Sequence, residues 1–353
     1  MPRQYLPFYE VKNRPALIVD SVHPSGLTLS HWRGAATPAE LRDDTSAGSV
    51  LNALRQNHPG LQSEWVTANH FDVDGFVGVW SLLNPERALQ REALLREMAV
   101  IGDFRELDLG KPAAEEALQL VCWLNAVEKE RFYPPFGAED REESEVRLSP
   151  AKFGFFLPAF GKVLAQPETG RHHWQAEYDR VLEDYALIHG PQTHLTAYPS
   201  LGLVVVETPR PVHYYALFSV TVGYDAVLSL YHGNRYELEQ KYTTWIDLAS
   251  RPTLPRVSLA PLAARLNALE DSSAAGQWHA EPVTDTGPIL RRDRQPLRKV
   301  QRYANPYERP VLPSSIPPEA LKNKVKGYLE EKYAGIVPKK YWTWEEVKRL
   351  NRG

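Results

Sequence analysis

The sequence predicts an α/β protein: a doubly wound, mostly parallel sheet, then a second α+β region and an extended C-terminal tail. Three observations carry that prediction. Short apolar runs alternate with amphipathic stretches through the first hundred residues, and each apolar run ends in a polar or glycine-bearing loop. Beyond Gly287 the composition shifts to Pro, Arg, Lys and Tyr. The expected organisation is an α/β domain over 1–135, an α+β domain over 150–287 and a basic extended tail with short helices over 288–353.

Ala16 to Val19 is an apolar run that ends on Asp20, and Gly26 to Leu29 is a second candidate strand leading into the loop Ser30-His31-Trp32-Arg33-Gly34. Asp43 to Ser46 is a helix N-cap cluster ahead of a helix over 47–57, whose Val50, Leu51 and Leu54 share one face. Trp65 and Val66 begin a third strand that opens into Asn69-His70-Phe71-Asp72-Val73-Asp74-Gly75, with an apolar helix behind the glycine. In doubly wound sheets ligands bind at the carboxyl ends of the strands, and Asp20, His31 and Asp72 all fall there.

The stretch from His70 to Gly75 is the chemical centre of the chain. Alternate residues of an extended loop point the same way, so His70, Asp72 and Asp74 can converge. Two neighbouring carboxylates repel unless a proton or a cation lies between them, and a hard divalent ion takes oxygen and imidazole ligands. The same residues also suit a plain strand-to-helix turn, with Asp72 or Asp74 capping the helix and Gly75 supplying an unusual backbone angle. An EF-hand is excluded, since Phe76 and Gly78 occupy the next alternate positions.

Further on, residues 85–98 read as a helix, and Val100-Ile101-Gly102 leads to Asp103, either a further ligand or a turn residue. Residues 115–131 read as a helix and the acidic, proline-bearing stretch 133–149 as a loop or domain edge. Residues 152–187 are expected to be mostly helical, with His172 and His173 about 100° apart and thus poor partners for one metal. Residues 201–207 and 212–231 read as strands, and Gly233-Asn234 as a hairpin turn that puts Arg235, Glu237, Glu239 and Lys241 on one face, expected to be solvated. Arg235 is nonetheless a candidate phosphate contact, because a guanidinium grips phosphate in bidentate fashion. Helices are expected over 259–270, 316–333 and 343–350, the last opened by a Thr343–Glu346 capping box.

Composition narrows the classes. Length, at 353 residues, accommodates two cores. One cysteine, Cys122, excludes an intramolecular disulfide framework and suits a reducing cytosol. No apolar run approaches membrane-spanning length and no signal-peptide pattern opens the chain, so a cytoplasmic protein is expected, with no membrane partner. A formal net charge of -3 gives no global nucleic-acid signal, although residues 290–353 carry about nine more Lys and Arg than Asp and Glu.

His70-x-Asp72-x-Asp74-Gly75 followed by an apolar helix resembles the first motif of the DHH phosphoesterases. Asp20 at its strand end resembles the second motif's aspartate, and Leu29-Ser30-His31-Trp32 with Asp44-Thr45-Ser46 and a helix resembles the Asp-His-His motif and its Ser/Thr-rich helix start. The resemblance covers roughly the first 110 residues. The motifs come in the order second, third, first, which requires a circularly permuted sheet, and Ser30 and Trp32 stand where the triplet has its Asp and second His. The resemblance implies paired Mn or Mg ions held by Asp20, His31, His70, Asp72, Asp74 and Asp103, with His70, Asp72 and Asp74 in the catalytic set. It implies hydrolysis of a phosphoester or phosphoanhydride in a phosphorylated small molecule or short oligonucleotide. Arg33, Thr45, Ser46 and Arg235 are the expected substrate contacts, through charge, hydroxyls and a helix N-terminus. The full-length pattern also resembles an uncharacterised bacterial family known only as a domain of unknown function, which implies that the two halves belong together.

Two other readings stay open from sequence. One is a non-catalytic protein that binds a nucleotide or phosphoryl ligand, suggested by Ser30 and Trp32. The other is an interaction protein whose tail, with Lys322, Lys324, Lys326, Lys339, Lys340, Tyr341 and Trp342, grips nucleic acid or an acidic partner, or docks on its own body.

Overall fold

The computed structural model describes residues 2–132, 145–271, 275–297 and 299–352. Two compact units divide the chain, Met1–Val181 and Leu182–Gly353. Both are mixed α/β. Among the described residues no helix is long and apolar enough to cross a membrane.

The first unit is built on four strands, β1 (Gln4–Tyr5), β2 (Ala16–Val19), β3 (Gly26–Leu29) and β4 (Trp65–Ala68), in the order β1-β4-β2-β3 and all parallel. β2 lies between β3 and β4 and is buried along its whole length, which is why it reads as an unbroken apolar run. Its register pairs Val19 with Leu29 on one side and with Ala68 on the other. The residues that follow, Asp20, Ser30 and Asn69, therefore leave the sheet side by side.

Helices α1 (Ser46–Arg55) and α2 (Val73–Leu83) start just behind those strand ends. Glycine lets α2 approach the sheet: a Cβ on Gly78 would stand 2.6 Å from Val19 Cγ1. The single helix expected over 85–98 is two, α3 (Pro85–Gln90) and α4 (Glu92–Ala99), broken where Arg91 leaves helical geometry. A π-helical turn, Val100–Phe104, continues α4, and α5 (Ala114–Phe132), α6 (Glu145–Ala165) and α7 (Arg171–Ile188) complete the helices of this region. Of the loop expected over 133–149, residues 133–144 lie outside the described residues and Glu145 already begins α6.

The second unit carries a six-stranded mixed sheet in the order β5-β6-β7-β8-β10-β9, where β5 is His194–Tyr198, β6 Leu203–Thr208, β7 Ala226–Tyr231, β8 Arg235–Gln240, β9 Gln277–Ala280 and β10 Ile289–Asp293. Only β6 and β7 run parallel. The hairpin read at Gly233-Asn234 is present, both residues having positive φ as a twisted two-residue turn demands. Residues 212–231 are not one strand, however. Helix α8 (Tyr214–Ser219) occupies the first part, because the His213 side chain accepts the Tyr215 N–H and caps it, and Gly223 at φ +86 turns the chain into β7.

The expected solvated face of β8 is a second correction. Glu237, Glu239 and Lys241 are buried, since Arg309 lies 3.3 Å from Glu237 and 3.7 Å from Glu239, and the Lys241 ammonium donates to the Thr221 carbonyl. Residues from 288 on, read as a basic tail, supply β10 to the sheet and α10 (Lys299–Arg302) beyond it. They also supply α11 (Pro318–Tyr333), whose Leu321, Val325, Tyr328 and Leu329 join the apolar core. α9 (Ala260–Asn267) contributes Leu262 and Leu266 to the same core, while Leu269 is exposed. The final helix, α12 (Trp344–Leu350), has the Thr343–Glu346 capping box.

Candidate metal centre

At the carboxyl ends of β2, β3 and β4 the chain brings together four carboxylates and two imidazoles, all of them singled out by the sequence. Asp20 joins two groups. His31 Nε2 lies 3.3 Å from Asp20 Oδ1 and 3.8 Å from Asp74 Oδ2; His70 Nε2 lies 3.5 Å from Asp20 Oδ2 and 2.8 Å from Asp72 Oδ2. Within each group the ligand atoms are within 4.8 Å of one another. Bonds of about 2.1 Å to one cation separate neighbouring ligands by roughly 3 Å and opposed ones by about 4 Å, so each group fits one ion.

Local sequence explains each position. Asp20 ends β2 with φ 45, a left-handed conformation that a non-glycine residue holds only when its surroundings fix it. Its Oδ1 accepts the Ser46 hydroxyl at 2.7 Å. Gly75 has helical geometry, not the unusual backbone angle read for it, and a Cβ there would press on Asp72 Oδ1 at 3.0 Å. Asp72 is the N-cap of α2, its Oδ1 accepting the Gly75 N–H at 2.8 Å, while Oδ2 faces His70. Capping thus uses one oxygen of the carboxylate and leaves the other turned towards His70. Asp74 is held by the start of α1, accepting the N–H of Ser46 at 2.7 Å and of Ala47 at 2.8 Å. Those two backbone donors aim the carboxylate and favour its charge.

Both histidines are oriented from behind. His31 Nδ1 lies 2.6 Å from the Asp44 carbonyl and His70 Nδ1 2.6 Å from Asn69 Oδ1. A carbonyl only accepts, so Nδ1 carries a proton; facing the carboxylates without a metal, Nε2 is a second N–H donor, and on metal binding the neutral ring would turn its Nε2 lone pair to the ion. Phe104 stacks on His31 at 6.1 Å between centroids, and Trp32 lies 5.7 Å from the His70 ring. Asn69 and the Asp44 carbonyl were missed by sequence reasoning. Asn69 has a signal, its place next to His70; a backbone carbonyl has none.

Asp103 reaches the centre from the π-helical turn, its Oδ2 3.6 Å from His31 Nε2 and without a hydrogen bond among the described residues. A buried carboxylate oxygen left this way costs free energy unless an ion or proton satisfies it. π-helical turns recur at functional sites because they re-aim one side chain.

The expected substrate contacts fall in different places. Thr45 caps α1, its hydroxyl accepting the Gly48 N–H, and the Ser46 hydroxyl is taken by Asp20, so both serve the scaffold. Arg33 is buried beside His31 in sequence. Arg235 belongs to the second unit, where its Nε donates to the His232 carbonyl.

Electrostatics show what the cluster lacks. Burial would raise Asp20, but the hydrogen bond with His31 and the charges of His70 and His31 prevail and hold it at about 2. Burial, then the charges of Asp20 and Asp72, pushes Asp74 up to about 7 against the pull of His31. Asp103 is raised well above the carboxylate range, by burial first and then by the other carboxylates. Burial opposes charge on the imidazoles, yet Asp103, Asp20 and Asp74 raise His31, and Asp72, Asp20 and Asp103 raise His70 to about 10. Excess negative charge is thus met by protons, and a divalent cation supplies the same charge while using the oxygen and imidazole donors as ligands. The donors are carboxylate oxygens and imidazole nitrogens without thiolate, a set that could hold a divalent cation.

Exposure distinguishes the two groups. Asp20, His31 and Asp74 are buried, whereas the His70 and Asp72 side chains keep 27% and 33% of their surface in solvent. A ligand reaching the centre meets the His70–Asp72 side first.

Comparison with curated proteins and with solved structures gives no match. A family model does match, over residues 1–340, and with it the chain belongs to the family described as Family of unknown function (DUF6687).

Proposed function

We propose that the protein is a metal-dependent phosphoesterase of the cytoplasm, hydrolysing a phosphoester or phosphoanhydride of a small nucleotide or oligonucleotide. In this reading the first unit is a circularly permuted, doubly wound relative of the DHH phosphoesterases. The observation that carries it is Asp20, whose two oxygens face two different His–Asp groups and so suit a pair of divalent ions sharing one carboxylate. Asp74 and His31 would hold the more buried ion, with Asp103 beside them, and His70 and Asp72 would hold the one nearer solvent. Bound Mn or Mg lowers the pKa of water and neutralises phosphoryl charge, which is the main requirement of such hydrolysis. The chain's own residues fix geometry. Ser46 and Ala47 aim Asp74, Ser46 also pins Asp20, and Asp44 and Asn69 set the imidazole tautomers. Arg33 is the candidate phosphate contact of this unit.

Purified protein given Mn or Mg is expected to hydrolyse at least one of a panel of pyrophosphate and p-nitrophenyl phosphate, read as released phosphate, and a dinucleotide, read as released mononucleotide, and Asp72→Ala and Asp74→Ala to abolish it. A metal-loaded protein inert on the whole panel overturns the enzymatic reading.

A second reading is favoured by one observation. Ser30, in the place of a ligand-type residue, accepts the Trp32 N–H and is tied to Thr37, and Trp32 flanks His70. That arrangement suits a protein that binds a phosphoryl ligand through metal without turning it over. The third reading, nucleic acid gripped by the C-terminal basic residues, has less support. Lys322 pairs with Glu207, Lys339 with Glu346, and Trp342 is buried with its indole N–H on the Thr253 carbonyl.

A further inference from the structure

We infer that Asp43 is a positioning residue of the metal centre: it turns the Asp44–Thr45 peptide so that the Asp44 carbonyl holds His31. Asp43 thereby sets how firmly the buried group of ligands takes its ion, and leaves the His70 group alone. The inference rests on the metal reading above and adds to it a residue outside the ligand set.

Asp43 lies just ahead of α1, and its two side-chain oxygens have different partners. Oδ2 accepts from Arg96 Nη1 at 2.9 Å, and the same guanidinium donates to Glu92 at 2.8 Å and to Asn52 at 2.7 Å, so the carboxylate is anchored to both α4 and α1. Oδ1 accepts the Thr45 N–H at 3.3 Å and the Thr45 hydroxyl at 3.4 Å. That N–H belongs to the same peptide unit as the Asp44 carbonyl, and a trans peptide is planar with its N–H and C=O opposed. Holding the N–H on one side therefore aims the carbonyl to the other, where it accepts the His31 Nδ1–H at 2.6 Å. The Asp43 N–H is itself held by the Ser49 hydroxyl at 3.1 Å. Helix α1 makes room for this arrangement: a Cβ on Gly48 would stand 2.0 Å from Asp43 Oδ1, although alanine inside a helix is the more stable choice. His70 is held by a separate device, Asn69 Oδ1 at 2.6 Å, on the loop that follows β4. An imidazole pinned at Nδ1 keeps its Nε2 aimed, and losing such an outer partner weakens metal binding 10- to 100-fold. Asp43 stands one bond further out than that partner, so the lower end of the range applies.

The test reads the imidazoles first and the metal second, on the full-length chain. In metal-free protein, proton NMR is expected to show a slowly exchanging Nδ1–H signal from both His31 and His70. Asp43→Ala should lose the His31 signal and keep that of His70, whereas Asp43→Asn, whose amide oxygen still accepts the Thr45 N–H, should keep both. Calorimetric titration with Mn is expected to show about a tenfold loss of affinity for one of two ions in Asp43→Ala, with the other unchanged. Arg96→Met, which frees Oδ2 but leaves the acceptor in place, should weaken the same ion by less, and it carries the test if Asp43→Ala does not fold. A His31 signal and Mn affinities left intact in these variants overturn the inference and leave the metal reading standing. So does an equal fall for both ions, the result that general loosening of the fold would give. Wild-type protein that shows both signals yet binds no Mn overturns the metal reading and the inference with it.

Discussion

Each unit of the molecule buries a cluster of charged side chains, and the two clusters are solved differently. In the second unit the buried carboxylates meet guanidinium groups. Arg309 faces Glu237 and Glu239, Arg291 donates to Asp293 at 2.6 Å, Arg251 to Asp225 at 2.7 Å and Arg210 to Asp184 at 2.6 Å. In the first unit four carboxylates converge, and among the described residues the only charged side chains within ion-pair distance of them are His31 and His70. A guanidinium carries its own permanent charge, so the carboxylates of the second unit face cations that the chain itself supplies, whereas imidazoles are cationic only when they hold protons. The first cluster depends on protons or a cation for its positive charge, which makes it the candidate site.

The contrast is sharpest in the ligand that both groups of the centre share. Asp20→Asn is expected to lower metal affinity by roughly 100-fold or more, beyond the 10- to 100-fold typical of losing an outer partner, with calorimetry as the measure. Arg309→Met tests the other cluster. It leaves Glu237 and Glu239 buried without their cation and should cost about 3–5 kcal/mol of unfolding free energy by urea titration, with metal content unchanged. Equal loss of metal from Arg309→Met and Asp20→Asn would erase the distinction between the clusters.

Ser46→Ala is a smaller perturbation of the first cluster. It removes the hydroxyl from Asp20 but leaves the backbone N–H on Asp74, so about a tenfold loss of metal affinity is expected.

pH tests the centre through the metal-dependent part of its effect, since burial also raises Glu281 of the second unit to about 7. Metal-free protein should lose stability as pH climbs from about 4 to about 7, because folded Asp74 keeps a proton that the unfolded chain has released. Asp20 acts in the opposite sense, its stabilising contribution being lost as pH falls from 3.8 towards about 2. Mn displaces the Asp74 proton, so thermal scans should show a metal-induced rise in Tm that grows from about pH 5 to about pH 8. A rise independent of pH would mean that no proton leaves the centre.

The smallest effect expected is that of Gly78→Ala. Overpacking against Val19 costs ~1–3 kcal/mol and the gain in helix propensity returns up to ~1 kcal/mol, so a net loss of about 1 kcal/mol is expected in urea unfolding.

The same contrast decides what could be read from sequence. Much of the first unit was legible because β2, β3 and β4 are local apolar runs with Asp20, His31, His70, Asp72 and Asp74 at or just beyond their ends, whereas Asp103 stayed open between ligand and turn residue and the two-residue strand Gln4–Tyr5 left no signal. What escaped is tertiary. The Asn69 and Asp44 contacts depend on ring orientation, and the break at Arg91 on packing against neighbours. In the second unit the charged alternation of Arg235 to Lys241 predicts a wet face, and nothing nearby in the chain announces that Arg291 and Arg309, more than fifty residues on, cover it. The helix Tyr214–Ser219 likewise depends on a histidine cap that β-favouring aromatic residues conceal.

The most direct test of the metal centre is a count of divalent ions per chain by mass spectrometry on protein loaded with Mn and desalted. The account predicts about two ions in the wild type, at most one in Asp74→Ala and none retained by Asp20→Asn. Equal metal content in the wild type and both variants would contradict it.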